Sequence, residues 1–428
     1  MSSVSSVSSV SSVVSTFAPL STLSTGRAPG SAPDHHRVLI VGGGTAGITT
    51  AARLCRAGVT GVAVVEPAAT HWYQPLWTLV GGGRAPLSLT HRPEASVMPR
   101  RARWIREAAT AVDPEARTVT TTGGVHGYDF LVMATGLQLD WGEVPGLDTA
   151  VGHGAVSSNY SHEHAPHTWE LIHGLRSGTA VFTQPAGPVK CGGAPQKIAY
   201  LAADHWRRQG VLDRIRVVLV LPADSMFGVP VWRRALERVA DRYGIEVRLN
   251  SEMTSVDGAA RRLTVADRAA GTAESLAFDL LHAVPPQSAP DWVRRGPLAD
   301  PASPYGYVEA DPYTLRHPRH RNVFALGDVA NLPTSKTGAA VRRQAPVVVA
   351  NLLAGMKGER GDRRYDGYTS CPLVTARDRV LLAEFDYAGR PAPSIPLVDT
   401  TKERRDMWLL KRYGLPALYW HGMLKGFV

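Results

Sequence analysis

Cysteine is scarce in this chain: Cys55, Cys191 and Cys371 are the only three among 428 residues. A small secreted fold built on disulfides is thereby excluded, since at most one pair can form and one thiol is left over. Lysine is scarce as well, with seven residues, at positions 190, 197, 336, 357, 402, 411 and 425, among 47 basic side chains. No apolar run approaches the roughly eighteen residues of a membrane-spanning helix, so none is expected. Blocks of basic residues interleaved with aromatics are missing too, and the formal charge of +10 comes from scattered arginines. That distribution speaks against a nucleic-acid partner and suits an anionic substrate and an anionic membrane face. Residues 1–34 are rich in Ser and Val and hold no basic residue before Arg27. Without the charged start of a signal peptide or the arginines of a transit peptide, they predict a disordered tail.

What is present is an ordinary globular composition, 44% hydrophobic and 20% charged, with length for two or three domains. Near the start, Arg37-Val38-Leu39-Ile40-Val41 forms a buried strand and Gly42-Gly43-Gly44-Thr45-Ala46-Gly47 fits G-x-G-x-x-G. Residues 48–57 continue as a helix closed by Gly58, and 62–65 form a second strand ending in Glu66. The glycines let backbone amides approach a pyrophosphate at the helix N-terminus. Glu66, nineteen residues past Gly47, is placed to accept hydrogen bonds from a ribose. Gly42, Gly44, Thr45, Ala46, Gly47 and Glu66 are therefore candidate dinucleotide ligands.

FAD and NAD share this fingerprint, and a later segment chooses between them. Residues 321–329 form a strand ending in Gly327-Asp328, followed by the turn 331–338, which carries Lys336, and a helix through about residue 353. Asp328 can bind a ribityl hydroxyl, and the helix N-terminus can face the anionic edge of a flavin. Ala134-Thr135-Gly136, after the strand 130–133, is the usual chain crossover in such folds. Together these indicate FAD, with Thr135, Gly136, Asp328 and Lys336 joining the candidate set.

A second glycine fingerprint would be expected after the strand 179–184. Its place is taken by Lys190-Cys191-Gly192-Gly193-Ala194-Pro195-Gln196-Lys197, leading into a helix over 196–209. The thiol stands at a helix N-terminus, where the macrodipole, Lys190 and Lys197 favour thiolate over thiol. A phosphate site has become a sulfur site. Three of the seven lysines, 190, 197 and 336, fall in the candidate site, where a compact ammonium can stabilise a thiolate or a reduced flavin. Cys55, mid-helix among Ala51, Ala52 and Leu54, is expected to be buried and inert.

These segments, together with His71-Trp72-Tyr73-Gln74-Pro75-Leu76-Trp77-Thr78-Leu79-Val80 and Tyr365-Asp366-Gly367-Tyr368-Thr369-Ser370-Cys371-Pro372-Leu373-Val374-Thr375, resemble the sulfide:quinone oxidoreductases, particularly the branch that includes the mitochondrial enzyme. The resemblance covers residues 35–428. It implies an α/β fold of tandem Rossmann-type dinucleotide-binding domains, a two-domain FAD-dependent disulfide-oxidoreductase-like flavoprotein with C-terminal amphipathic helices. FAD would be noncovalent, because no third cysteine stands where some bacterial relatives attach flavin, and Gln74 would contribute to its site. Cys191 and Cys371 would be a redox pair, with Cys191 the flavin-side thiolate, Cys371 the sulfane-sulfur carrier and Lys197 the catalytic cation. Sulfide would attack the oxidised pair and leave a protein persulfide. A thiol, sulfite or a second sulfide would remove that sulfur, and two electrons would pass through FAD to ubiquinone or menaquinone. The chain departs from the family pattern at Arg342-Arg343, where small residues would be expected and where charge is added near the flavin or quinone end.

The implied division is a tail at 1–34, an FAD domain from 35–150 and 286–355, a second Rossmann-like domain at 151–285 carrying Cys191, and a C-terminal region 356–428 with Cys371. The strands 217–221 and 246–249 around a helix over 231–243 give the second domain a parallel sheet. His162, His164 and His167 lack regular ligand spacing and include Pro166 among them, so a polar loop and no metal is expected. His71 is expected to pack under the flavin domain. From Lys402 onward, Met407, Trp408, Leu409, Leu410, Tyr413, Leu415, Leu418, Tyr419, Trp420, Met423, Leu424 and Phe427 form an apolar surface broken by Arg404, Arg405, Lys411, Arg412 and Lys425. Two short helices around Gly414-Leu415-Pro416 would lie in a bilayer interface, with cations for headgroups. A peripheral protein at the cytoplasmic face of a bacterial plasma membrane is expected ahead of one at the mitochondrial inner membrane. The other use of this face is packing on the body or in a homo-oligomer. Two rival functions remain: a type II NADH:quinone oxidoreductase, which would need glycines where Cys191 stands, and a non-catalytic flavin and thiol redox sensor.

Overall fold

The computed structural model describes residues 34–428. The tail expected at 1–34 therefore lies, except for Asp34, outside the described residues. A seven-stranded sheet forms the first layer. Its parallel part runs Arg103–Ile105, Val62–Val65, Asp34–Val41, Gly124–Met133, Val323–Ala325, and an antiparallel meander of Thr118–Thr121 and Ala109–Asp113 extends it. All four residues of Val62–Val65 are buried, as expected of a strand with covered faces. The strand Val323–Ala325 pairs in register with Leu131, Val132 and Met133. This parallel pairing brings Gly327-Asp328 and Thr135-Gly136 to the same sheet edge as the fingerprint turn, because all three follow the carboxyl ends of parallel strands.

The second sheet is wholly parallel, in the order Val156–Ser157, Leu280–His282, Gly178–Thr183, Ile215–Val220, Glu246–Arg248. The helices Ala194–Arg208 and Pro230–Tyr243 belong to this unit, and Trp206 and Trp232 are fully buried in its core. A hairpin of Thr369–Ala376 and Arg379–Phe385 carries Cys371, opposite Ala383. Cys371, Leu373, Leu381 and Ala383 enter the same apolar cluster as Trp206, whereas Val374, Val380 and Leu382 enter the core of the first sheet. Alternation along a strand thus lets one hairpin stitch the two cores together.

The C-terminal segment differs from its sequence reading. Arg405–Leu409 and Leu415–His421 are helical, but Leu410–Gly414 joins them as a π-helical turn in place of a break. Pro416, which lacks an amide to bond back into the preceding turn, sits at the start of the second helix, where that lack is tolerated. Most of the aromatic face is not free. Met407, Trp408, Tyr419, Trp420, Met423 and Leu424 are buried in the core of the first sheet, beside residues of the fingerprint helix. Lys411, expected to meet headgroups, is 4% exposed. Only Leu409, Tyr413 and Phe427 remain as exposed large apolar side chains here, at 57, 62 and 61%. No helix among the described residues is long and apolar enough to cross a membrane.

This packing makes the tail part of the fold. Trp420→Ala should lower unfolding stability by about 3–5 kcal/mol, the usual cost of emptying a buried tryptophan site, measured by denaturant titration. A loss under about 1 kcal/mol, as for a surface substitution, would mean that the face is not held against the body.

Candidate active site

The fingerprint turn leaves no room for side chains. A Cβ on Gly42, whose φ is 105°, would collide with the Ala134 carbonyl, and one on Gly47 would collide with the Gly42 carbonyl. Close approach of the two strand ends therefore requires glycine. At Gly44 an added Cβ would meet nothing within 4 Å, so that side of the helix start is open. Thr45 and Ala46 are the first residues of the helix Thr45–Arg56. Glu66 receives hydrogen bonds from the amides of Gly43 at 2.7 Å and Ala68 at 2.8 Å. Burial nevertheless pushes its carboxyl up, against those bonds.

Cys191 precedes the helix Ala194–Arg208, with Gly193 as the N-cap. Its φ of 57° lies in the left-handed region, a conformation that costs a residue other than glycine about 1–3 kcal/mol. Three hydrogen bonds hold it there. The Cys191 amide donates to the Lys336 carbonyl at 3.0 Å, and its own carbonyl accepts from the Ala194 amide at 2.8 Å and from the Tyr160 hydroxyl at 3.3 Å. A Cβ on Gly193 would collide with Leu373 of the hairpin. The glycine after the thiol is what lets the Cys371 strand approach.

That approach brings the two thiols near enough for each to shift the other's ionisation, a hydrogen bond from Cys371 to Cys191 being the leading cause. Cys191 is held well below the ordinary thiol range, first by the hydrogen bond from Cys371 and then, against the cost of burial, by Lys197 and Lys411. The Lys197 ammonium donates to Cys191 Sγ at 2.9 Å. Cys371, 1% exposed, is pushed well up because it supplies that hydrogen bond and is buried. Ionisation is therefore favoured at Cys191 and opposed at Cys371. Cys55 is buried within the fingerprint helix, and burial pushes its thiol up.

The lysines gather here. Lys190 Nζ donates to Gln74 Oε1 at 2.8 Å and to the Tyr160 carbonyl at 3.0 Å, and burial pushes it down to about 8. Lys336 donates to the carbonyls of Asp328 at 2.5 Å and Ala330 at 3.2 Å, lies 3.6 Å from the Tyr307 ring centre, and is likewise pushed down to about 8 by burial. Lys411 donates to the Pro75 carbonyl at 2.8 Å. Burial, with Lys197 as a like charge, pushes it down to about 7, while both cysteines favour its charged form. The sequence reading placed Lys411 outside the site, and it also missed Tyr160. No local motif marks either residue, because the π-helical turn and the loop after Val156–Ser157 bring them in only through the fold.

Burial raises the Asp328 carboxyl, and the charges of Lys336 and Lys190 oppose that. The Thr135 hydroxyl is buried without a hydrogen-bond partner, and Gly136 has a φ of 71°. The helix Gly338–Met356 starts at Thr337, whose hydroxyl accepts from the Ala340 amide. Arg343 lies over the Tyr368 ring at 5.1 Å and Arg342 is near the same tyrosine. Of the three histidines, His162 stacks on Trp72 at 3.9 Å between ring centres, His164 meets Trp141 edge-on at 5.9 Å, and His167 contacts Glu170 and the Gly154 carbonyl.

The site thus holds Cys191 and Cys371 near each other, cations around them and an open glycine turn. The family model for pyridine nucleotide-disulphide oxidoreductases matches residues 36–345. A mouse protein named mitochondrial sulfide:quinone oxidoreductase is 40% identical over 93% of this chain and 88% of its own length. A Dictyostelium discoideum protein of the same name is 39% identical over 91% and 86%. The chain belongs to the sulfide:quinone oxidoreductase family. Its fold is shared with the crystal structure of the sulfide:quinone oxidoreductase from Aquifex aeolicus, at a TM-score of 0.77, 20% identity and 92% coverage of both chains. It is an FAD-dependent oxidoreductase with a Rossmann-like FAD domain. The residues fit that cofactor: the glycine turn is open at Gly44, the Thr135 hydroxyl lacks a protein partner, and the half-buried Asp328 carboxyl accepts no side-chain or backbone hydrogen bond among the described residues.

The charge arrangement is testable without turnover. Lys197→Met should raise the pH at which Cys191 ionises by about one to three pH units, since an opposite charge at this range favours the thiolate by that much. Lys411→Met should act in the same direction. The check is the pH dependence of alkylation by iodoacetamide, with exposed Lys357→Met as control. An unmoved profile in both variants would show that Cys371 and the helix dipole suffice.

Proposed function

We propose that this flavoprotein oxidises sulfide through the Cys191 and Cys371 pair and delivers the electrons to quinone. The observation that carries this reading is that Cys191 packs against the cluster holding Cys371, with Lys197 at hydrogen-bond distance from Cys191 Sγ. When the two sulfurs are joined, HS⁻ attacks Cys371 Sγ. The disulfide breaks, Cys371 keeps the incoming sulfur as a persulfide and Cys191 leaves as a thiolate, matched by Lys197 and Lys411. A thiol, sulfite or second sulfide then takes the outer sulfur and leaves Cys371 as a thiolate. Rejoining the two thiolates releases an electron pair. FAD held there would supply the two-electron acceptor through which that pair could reach ubiquinone or menaquinone. Gly42, Gly44, Thr45, Ala46, Gly47 and Glu66 would hold its dinucleotide end, and Gln74, Thr135, Gly136, Asp328 and Lys336 its flavin end. Gln74 acts indirectly, by accepting from Lys190 and so holding that ammonium beside Trp77.

We infer that membrane contact, if made by this tail, is confined to Leu409, Tyr413 and Phe427, flanked by the exposed Lys402, Arg405 and Lys425. Three relatives at 36–40% identity carry the word mitochondrial in their names. Nothing in the comparisons therefore favours the bacterial plasma membrane expected above over a mitochondrial one.

Anaerobic stopped-flow mixing tests the donor. Sulfide should bleach the flavin at least about a hundredfold faster than NADH or NADPH, a difference of about 2.7 kcal/mol in barrier, because a thiol loop occupies the place of the second phosphate turn. Comparable rates would favour an NADH:quinone oxidoreductase. Cys191→Ser and Cys371→Ser should each keep FAD and lose sulfide-dependent quinone reduction; wild-type turnover in either would overturn the assignment. Changing Leu409, Tyr413 and Phe427 together to Glu should abolish liposome flotation if that patch is the membrane face, and unchanged flotation would remove it from the proposal.

A further inference from the structure

One buried polar chain lies outside the sulfur chemistry. Glu94 Oε2 meets His71 Nδ1 at 3.1 Å, His71 Nε2 meets Tyr419 Oη at 2.6 Å, and Tyr419 Oη meets Thr45 Oγ1 at 2.9 Å. Glu94, His71 and Tyr419 are 1, 2 and 3% exposed. Burying these groups is costly unless each is paired, and packing alone does not call for them. Phenylalanine would fill the space of Tyr419 against Tyr73, whose ring centre is 4.4 Å away, and against Trp420 at 5.0 Å.

The chain ends at a particular place. Thr45 is the first residue of the fingerprint helix, beside the open face of Gly44. At the other end the second carboxyl oxygen of Glu94 is buried without a partner, and it lies 3.0 Å from where a Cβ on Gly43 would stand. The helix start that follows the turn is thus held by Tyr419 through Thr45, while the unpaired Glu94 oxygen lies close against Gly43. A run of three glycines has much conformational freedom to lose on binding, and holding it beforehand lowers the cost of taking up the ligand. The residue that holds it comes from 374 positions downstream, in the last helix.

We propose that Tyr419 and His71 are positioning residues for FAD, acting through Thr45, and that the C-terminal segment is a lock on the cofactor. Docking of the last helix organises the glycine turn, and its release loosens that turn. This role needs neither the cysteine pair nor a particular electron donor.

The experiment is FAD binding to flavin-stripped protein, followed by quenching of flavin fluorescence, with melting temperatures of the stripped forms alongside. Tyr419→Phe keeps the ring and removes the hydroxyl. It should weaken FAD about tenfold, or about 1.4 kcal/mol, while the melting temperature of the flavin-free form reads separately what the unpaired His71 and Thr45 cost the fold. Thr45→Ala should lose a similar factor, Thr45→Ser should recover to within twofold of wild type, and the Tyr419→Phe, Thr45→Ala double variant should lose no more than the worse single. Should Tyr419→Phe fail to accumulate, His71→Asn paired with Thr45→Ala gives the same cycle from the other side. An FAD affinity within twofold of wild type in Tyr419→Phe, or a double variant whose loss is the product of the two single losses, would overturn the proposal.

Discussion

The contact between Cys191 and Cys371 depends on how closely a hairpin strand can approach the start of a helix. Gly193 has no space for a side chain because Leu373 fills it, and Leu373 is anchored in the core beside Trp206 and Trp232. Helix start, glycine and hairpin together fix the distance between two sulfurs whose residues are far apart in sequence. Once they touch, the electrostatics follow. Lys197 donates to Cys191 Sγ, so ionisation is favoured there and opposed at the more buried Cys371.

The same point couples the sulfur site to the flavin site. Lys190 and Lys336 form a parallel bridge, and the Cys191 amide donates to the Lys336 carbonyl. The left-handed backbone of Cys191 is thus tied to the loop that follows Asp328. Charge reinforces the tie, because Lys190 and Lys336 both act on the Asp328 carboxyl while Cys191 opposes them. Each of these ammonium groups is depressed by burial, which makes them responsive to the charge of the groups they face.

The C-terminal segment shows where a pattern of residue types misleads. Aromatic and aliphatic side chains interrupted by cations describe a membrane-surface helix and a helix docked on its own body equally well, since both are amphipathic. The choice is made by the partner surface. Here the fingerprint helix offers one: a Cβ on Gly426 would stand 2.9 Å from its backbone, and Arg56 lies over Phe427 at 4.0 Å. Lys411 followed the aromatics inward and became part of the sulfur site in place of a headgroup contact.

By itself the sequence determined what is local. The glycine turn with Glu66, the strand ending in Gly327-Asp328, and the substitution of Cys191-Gly192-Gly193 for a second phosphate turn are each contained in a few consecutive residues. Their physics, from the φ a glycine allows to the dipole of a helix start, acts over a few residues. Tertiary structure alone decided which distant groups come together: Cys371 near Cys191, the Lys411 charge within reach of both, and Tyr419 bonded to Thr45 and His71. Those contacts rest on the burial of apolar side chains, which has no direction or sequence address of its own. It places a polar group wherever the packing of Leu373, Trp408 and Trp420 carries it.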